Sequence, residues 1–229
     1  MLEPFADDIW IADGGAVTAI AGFHYPTRMA VIRLDDGGLF VWSPVALTPA
    51  LRDAVAALGG VRCIVAPNAL HHMFISEWAA AFPDAALYAA PGLRAARKDI
   101  VFTGDLADEA PAAWAGQIDQ VIIRNTIADE VVFFHRKSGA VLFTDMLQQM
   151  PRGWYKGWRA LVAKLDRMTG SEPQTPNKFR MAVRDRAAAR AALARIRAWP
   201  ARSVLMAHGA PVRENGADFI ARAFAWLER

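Results

Sequence analysis

The sequence predicts an α/β (α+β) fold in a single domain of 229 residues, and three observations carry that reading. Short apolar runs rich in β-branched residues fall into two groups, one in the first half of the chain and one from Gln120 onward. Several of them, such as VVFF at 131–134 and SVLMA at 203–207, are continuously apolar, the pattern of strands covered on both faces. Capped segments of helical period separate and follow the strands, so helices must flank the sheets.

The elements follow in order. Ile9 to Ala12 and Ala16 to Ala21 read as two short strands parted by Gly14-Gly15. Met29 to Leu34 and Leu39 to Ser43 form a hairpin about Asp35-Asp36-Gly37-Gly38. Thr48 then caps a helix with Pro49 at its first position, Leu51, Val55 and Leu58 on one face, and Gly59-Gly60 at its end. Val61 to Ala66 is a strand stopped by Pro67; a loop carries the pair His71-His72, and a helix follows with Ser76 as N-cap and Glu77 in its first turn. A strand at Ala86 to Ala89 ends at Pro91-Gly92, and Leu93 to Lys98 makes a helical turn before an irregular stretch from Thr103 to Gly116. The second group comprises Gln120 to Arg124, Glu130 to His135 and Ala140 to Thr144, the last two joined by a hairpin. Arg184 to Trp199 is a helix burying Ala189, Leu193 and Ile196; the strand Ser203 to Ala207 and a final helix from Ala217 to Leu227 complete the chain.

Between residues 150 and 179 the character changes. Trp154, Tyr155 and Trp158 alternate with basic residues, a short amphipathic helix follows, and the segment closes in a Pro-containing loop. It reads as an inserted flap that packs on the body, covers a substrate or touches a membrane surface.

Composition narrows the classes. With 54% hydrophobic and 21% charged residues the chain is an ordinary globular protein. Cys63, the only cysteine, cannot form an internal disulfide and falls in a strand, as a core residue of a protein from a reducing, cytoplasmic compartment does. The first residues lack the basic-then-apolar order of a signal peptide, and no stretch has the length of a membrane span. The net charge of +3 is spread over helical segments, which argues against a nucleic-acid surface.

Chemistry gathers at strand ends. The chain has five histidines, and three of them, His71, His72 and His208, follow apolar strands, as does Asp145 after AVLFT. Imidazole and carboxylate in a cluster of three or four are ligands for zinc, iron or manganese.

Together with the order of elements, the motifs LHHMF, FTDML and MAHGA resemble the metallo-β-lactamase superfamily over most of the chain outside the flap. The resemblance implies a four-layer αββα sandwich of two mixed sheets with metal at one edge. Its HxHxDH motif is incomplete here: Pro67 and Ala69 stand at the first two histidines, and the region Asn125 to Glu130 lacks the remaining histidine. What the resemblance leaves is one divalent metal, zinc first and iron or manganese next, held by His71, His72, Asp145 and His208. Asp145 and His71 are then the catalytic residues. His24 and Arg28, ahead of a strand on the site edge, are candidates to bind substrate; a guanidinium forks onto a carboxylate or phosphate. Asp129 and Glu130 are placed to supply a carboxylate to the metal or its water but read first as an exposed strand start, and His135 as a structural partner. The function implied is a mononuclear metal-dependent hydrolase of a small ester, thioester, amide or phosphoester. The alternative is a catalytically degenerate protein of the same fold that serves as a binding or structural module.

Overall fold

The computed structural model describes residues 1–228. Its strands are β1 (Glu3–Ala6), β2 (Ile9–Thr18), β3 (His24–Arg33), β4 (Leu39–Trp42), β5 (Val61–Ala66), β6 (Ala86–Ala89), β7 (Gly104–Asp105), β8 (Ile118–Ile123), β9 (Glu130–His135), β10 (Ala140–Gln148) and β11 (Ser203–His208). Its helices are α1 (Pro49–Ala56), α2 (Ile75–Ala81), α3 (Leu93–Ala96), α4 (Trp158–Leu165), α5 (Asn177–Ala182), α6 (Arg186–Arg197), α7 (Gly216–Ala223) and α8 (Ala225–Glu228). Strands β1 to β7 form one sheet in sequence order, antiparallel up to β4 and parallel from there. The other sheet runs β11-β10-β9-β8, with β11 parallel to β10 and the remaining pairs antiparallel.

The period of two along each strand sorts side chains into layers. Ile9, Ile32, Phe40 and Val65 of the first sheet meet Ile122, Phe133 and Leu142 of the second in a common core. The alternate residues face outward. Val31, Val41 and Ile64 pack under Leu51 and Val55 of α1 and Trp78 of α2. Val132, Phe134 and Phe143 pack under Leu193 and Ile196 of α6 and Phe219 of α7. The result is the expected αββα sandwich. Trp78 is wholly buried and donates its indole N–H to the Val45 carbonyl at 2.7 Å, so its loss would cost about 3–5 kcal/mol. Among the described residues no helix is long and apolar enough to cross a membrane.

Some boundaries differ from the sequence reading. β2 is one continuous strand whose pairing with β3 slips between Gly14 and Val17. There a Cβ on Gly14 would lie 2.4 Å from Thr27 Oγ1, so only glycine lets the strands pass. Ser76 does not cap α2: the turn after His72 already donates Ile75 N–H to the His72 carbonyl, and the helix begins at Ile75. The last helix breaks at Phe224 into α7 and α8. β10 runs on to Gln148, so Asp145 lies within the strand, where its register with β11 shifts between Phe143 and Gln148.

Candidate metal centre

Three loops and strand ends converge at one edge of the sandwich. After β5, Pro67 ends the strand and the buried Asn68 shapes the turn, its Oδ1 accepting the N–H groups of Leu70 (2.8 Å) and His71 (3.0 Å). This turns the His71 ring inward, where its Nδ1 lies 2.8 Å from Ser43 Oγ. That hydroxyl donates its one hydrogen to the Arg28 carbonyl at 3.2 Å, so Nδ1 of His71 must donate to it. Ser43 holds φ of 51°, a left-handed conformation a non-glycine residue adopts at a cost of about 1 kcal/mol or more, and it does so where β4 meets the site.

His208 ends β11. Its Nδ1 is 2.6 Å from the Pro26 carbonyl, an acceptor only, so this nitrogen also carries the hydrogen. Gly209 lets the chain turn closely past Gln149, whose backbone nitrogen would be 3.1 Å from a Cβ there. Asp145 is fixed from both sides: Asn68 Nδ2 donates to Oδ2 at 2.7 Å and Gln148 Nε2 to Oδ1 at 3.0 Å. The strand that carries it is anchored by Glu130, whose carboxylate accepts the N–H groups of Thr144, Asp145 and Met146 at 2.7, 2.7 and 2.9 Å.

With both Nδ1 atoms donating outward, the Nε2 atoms present lone pairs to the centre. They are 3.1 Å apart, and lie 3.3 Å (His71) and 3.4 Å (His208) from the Asp145 oxygens. Ligands about 2.0–2.1 Å from a tetrahedral zinc sit about 3.3–3.4 Å from one another, so the donor set fits one such ion. Burial pushes the His71 imidazole below its usual range, against the pull of Asp145. Burial opposes ionisation of Asp145, and only positive charge placed at the two imidazoles outweighs it and holds its carboxyl well below the usual carboxylate range. A carboxylate facing two lone pairs at this depth is a donor set that could hold a cation. His71, Asp145 and His208 form the metal-ligand cluster found among the described residues.

Other candidates are not brought to this point. His72 is turned away by the backbone step from His71; Arg97 donates to its Nδ1 at 2.9 Å, and burial and that guanidinium hold its ring below the usual range. Of the four expected ligands, His71, Asp145 and His208 converge and His72 does not reach them. Arg28 does not face the cavity: Nε and Nη2 grip Asp13 at 2.6 and 3.0 Å, and Nη1 donates to the carbonyls of Met206 (3.1 Å) and Gly209. His24 packs tilted against Trp154 and edge-on against Tyr155, and its carbonyl accepts their N–H and O–H at 2.8 and 2.7 Å, which makes it an anchor for the segment 150–179. Asp129 is occupied by Arg124 and the Asn125 N–H. Glu130 is not an exposed strand start but is buried, 1% accessible. His135 is a structural partner of Ser138, as expected, at 2.9 Å.

Ser43, Asn68 and Gln148 escaped the sequence reading. Asn68 alone carried a signal, since Pro-Asn after a strand marks a turn whose side chain bonds backbone two residues on. Ser43 acts by tertiary approach, and Gln148, three residues past Asp145 on the same strand, reaches it only where the register with β11 shifts; neither left a signal.

The cluster lines a cavity of about 520 Å³. Its walls are mainly apolar, with Phe23, Phe74, Met168 and Phe179 among them, and Val162, Asp166 and Lys178 of the segment 150–179 close one side. Lys178 Nζ donates to Tyr25 Oη at 3.0 Å and pairs with Asp166 at 3.4 Å; the Tyr25 ring lies 5.6 Å from that of His208.

Comparisons with known proteins agree with this architecture. The fold is similar to that of the metallo-β-lactamase from Pontibacter korlensis, with 12% identity and a TM-score of 0.65 over 100% of this chain and 99% of that one. It is similar to the metallo-β-lactamase FIM-1 from Pseudomonas aeruginosa in its mono-zinc form, with 13% identity, a TM-score of 0.62 and coverage of 99% and 95%. It is also similar to the metal-soaked Flv1 flavodiiron core from Synechocystis sp., with 12% identity and a TM-score of 0.64, over 100% of this chain and 60% of that chain. No curated protein matches the sequence. Residues 6–190 match the model of a domain of unknown function, DUF4336, and on that match the chain belongs to the DUF4336 family, here folded as a metallo-β-lactamase sandwich.

Proposed function

We propose that the protein is a mononuclear metal-dependent hydrolase of a small substrate with an ester, thioester, amide or phosphoester bond. The observation that carries this is the buried triad of His71, Asp145 and His208, with two lone pairs and a carboxylate turned on one point. Three protein ligands, rather than the four first expected, are the number that leaves a position for water, as catalytic zinc sites require. A divalent cation held there would supply a Lewis acid and lower the pKa of a coordinated water from about 15.7 toward 7.

The chain's own residues do the remainder. Ser43 and the Pro26 carbonyl fix both histidine tautomers, and Asn68 and Gln148 fix the carboxylate. Asp145, its two oxygens held by Asn68 and Gln148, would complete the ligand set and keep a water bound there oriented toward the substrate. The apolar walls and the segment 150–179, which we read as a flap, exclude bulk water. Lys178, held beside Tyr25 and the triad, is placed to bind an anionic group of the substrate. Pro67 and Ala69, which the resemblance aligns with two histidines of the superfamily motif, support the reading of a branch with one metal site in place of two.

A second reading rests on the 3.1 Å between the ring nitrogens, a separation that one shared proton would also bridge; the triad would then be a structural cluster in a binding protein. Metal content of untagged protein, measured by elemental mass spectrometry, separates the two. About one equivalent of zinc, iron or manganese is expected for one site of this kind, and none in a His71→Ala/His208→Ala variant. No metal after reconstitution overturns the hydrolase reading in favour of the shared proton.

A further inference from the structure

The large apolar side chains left on this surface are not scattered. Ile20, Leu70, Met73, Ile127 and Val162 are exposed and line the cavity, and Trp158, Leu161 and Leu165 share α4 with Val162. At about 100° per residue, the four apolar side chains of α4 occupy one arc about 100° wide. Ala163, the residue by which α4 is buried, projects from the opposite side. A surface helix of a globular protein turns its apolar stripe inward; this one turns it to solvent, 55% exposed at Trp158 and 66% at Leu165.

Charge frames the stripe. Arg159 and Lys164 border its two sides, and with Arg152, Lys156 and Arg167 they make five cations between residues 150 and 170. The one carboxylate in that span, Asp166, is engaged by Lys178 at the cavity wall. A second copy docking by the same stripe would bring like charge against like charge, which disfavours self-association.

We propose that this face docks on an anionic lipid bilayer, with the α4 stripe sunk into the headgroup boundary, its cations on the phosphates, and the cavity mouth opening at the lipid surface. Apolar area and fringing cations add in such binding, and neither suffices alone. The docking goes beyond the hydrolase reading and does not depend on a metal, so the two assays fail independently.

Flotation of the full chain with vesicles of phosphatidylcholine, with or without phosphatidylglycerol, tests it. The protein is expected to float with the anionic vesicles only, and to be released by high salt. Leu161→Asp/Leu165→Asp should reduce partitioning at least about tenfold, as should Lys156→Glu/Lys164→Glu, with unchanged melting temperatures because these side chains are exposed. Failure of the wild type to float with anionic vesicles, or equal flotation of both variants, overturns the proposal. So does a concentration-dependent dimer that the Leu161→Asp/Leu165→Asp variant dissociates, which would assign the stripe to a second copy.

Discussion

The Nε2 atoms of His71 and His208 face each other across 3.1 Å, and in neutral rings the hydrogen-bond partners at Nδ1 leave both of these atoms as lone pairs. Two acceptors in contact beside a buried carboxylate repel one another unless something positive lies between them. The fold therefore spends stability on holding this arrangement: Ser43 at positive φ, Asn68 and Gln148 on the carboxylate, Glu130 under the strand.

The first prediction sets neighbouring residues against each other. His72→Ala should leave metal content unchanged, because its ring meets Arg97 and not the triad. Ser43→Ala removes the acceptor that fixes the His71 tautomer and should weaken metal affinity about 10- to 100-fold, the range for such supporting contacts. Competition with a chromogenic chelator measures both. A large loss in His72→Ala with none in Ser43→Ala would put the wrong histidine in the site.

The second prediction concerns Glu130. Burial, and then the Asp145 carboxylate, push its pKa up to about 7 against the backbone N–H groups it accepts. The native value lies above the ordinary 4.5, so the native state binds the proton more tightly than the unfolded chain. The stability this adds is complete below pH 4.5 and is lost as pH rises through about 7. In metal-stripped protein, where no cation offsets Asp145, urea unfolding should show the advantage of wild type over Glu130→Gln shrinking across that window. At low pH, where Glu130 is the neutral acid, Glu130→Gln should cost about 1–3 kcal/mol, because the acid's hydroxyl oxygen can still accept a backbone N–H and the amide NH2 that replaces it cannot. A difference independent of pH would contradict the assignment.

What the sequence discloses follows from the range of the forces involved. An apolar run ending in His or Asp is a local pattern, so His71, Asp145 and His208 are legible along with the strands that carry them. The choice between His71 and His72 is only partly local: adjacent residues in a turn point apart, and the partners that hold the two rings, Ser43 for His71 and Arg97 for His72, lie 28 and 25 residues away. Asn68 reaches Asp145 across 77 positions, a distance at which no period in the chain carries information. The amphipathic period of α4 is legible, but its direction is not, since an outward stripe and an inward one have the same spacing.

The third prediction separates two roles for Arg28. As a substrate ligand it would affect turnover alone; as placed, it joins β3 to the His208 loop of the opposite sheet. Its pair with Asp13 is worth little, since Asp13 is 66% exposed and water screens it, so Asp13→Asn should cost at most about 1 kcal/mol. The bonds of the same guanidinium to the Met206 and Gly209 carbonyls are partly buried, and a charged donor there is worth about 1.5–3 kcal/mol. Arg28→Lys keeps the charge but loses the fork that reaches Asp13 and both carbonyls at once. It should therefore lower stability by about 2–3 kcal/mol, visible as a shift in denaturant midpoint, and loosen the loop that presents His208. Metal affinity should fall with it. An Arg28→Lys protein of unchanged midpoint and metal affinity, impaired only in substrate binding, would return this residue to the substrate.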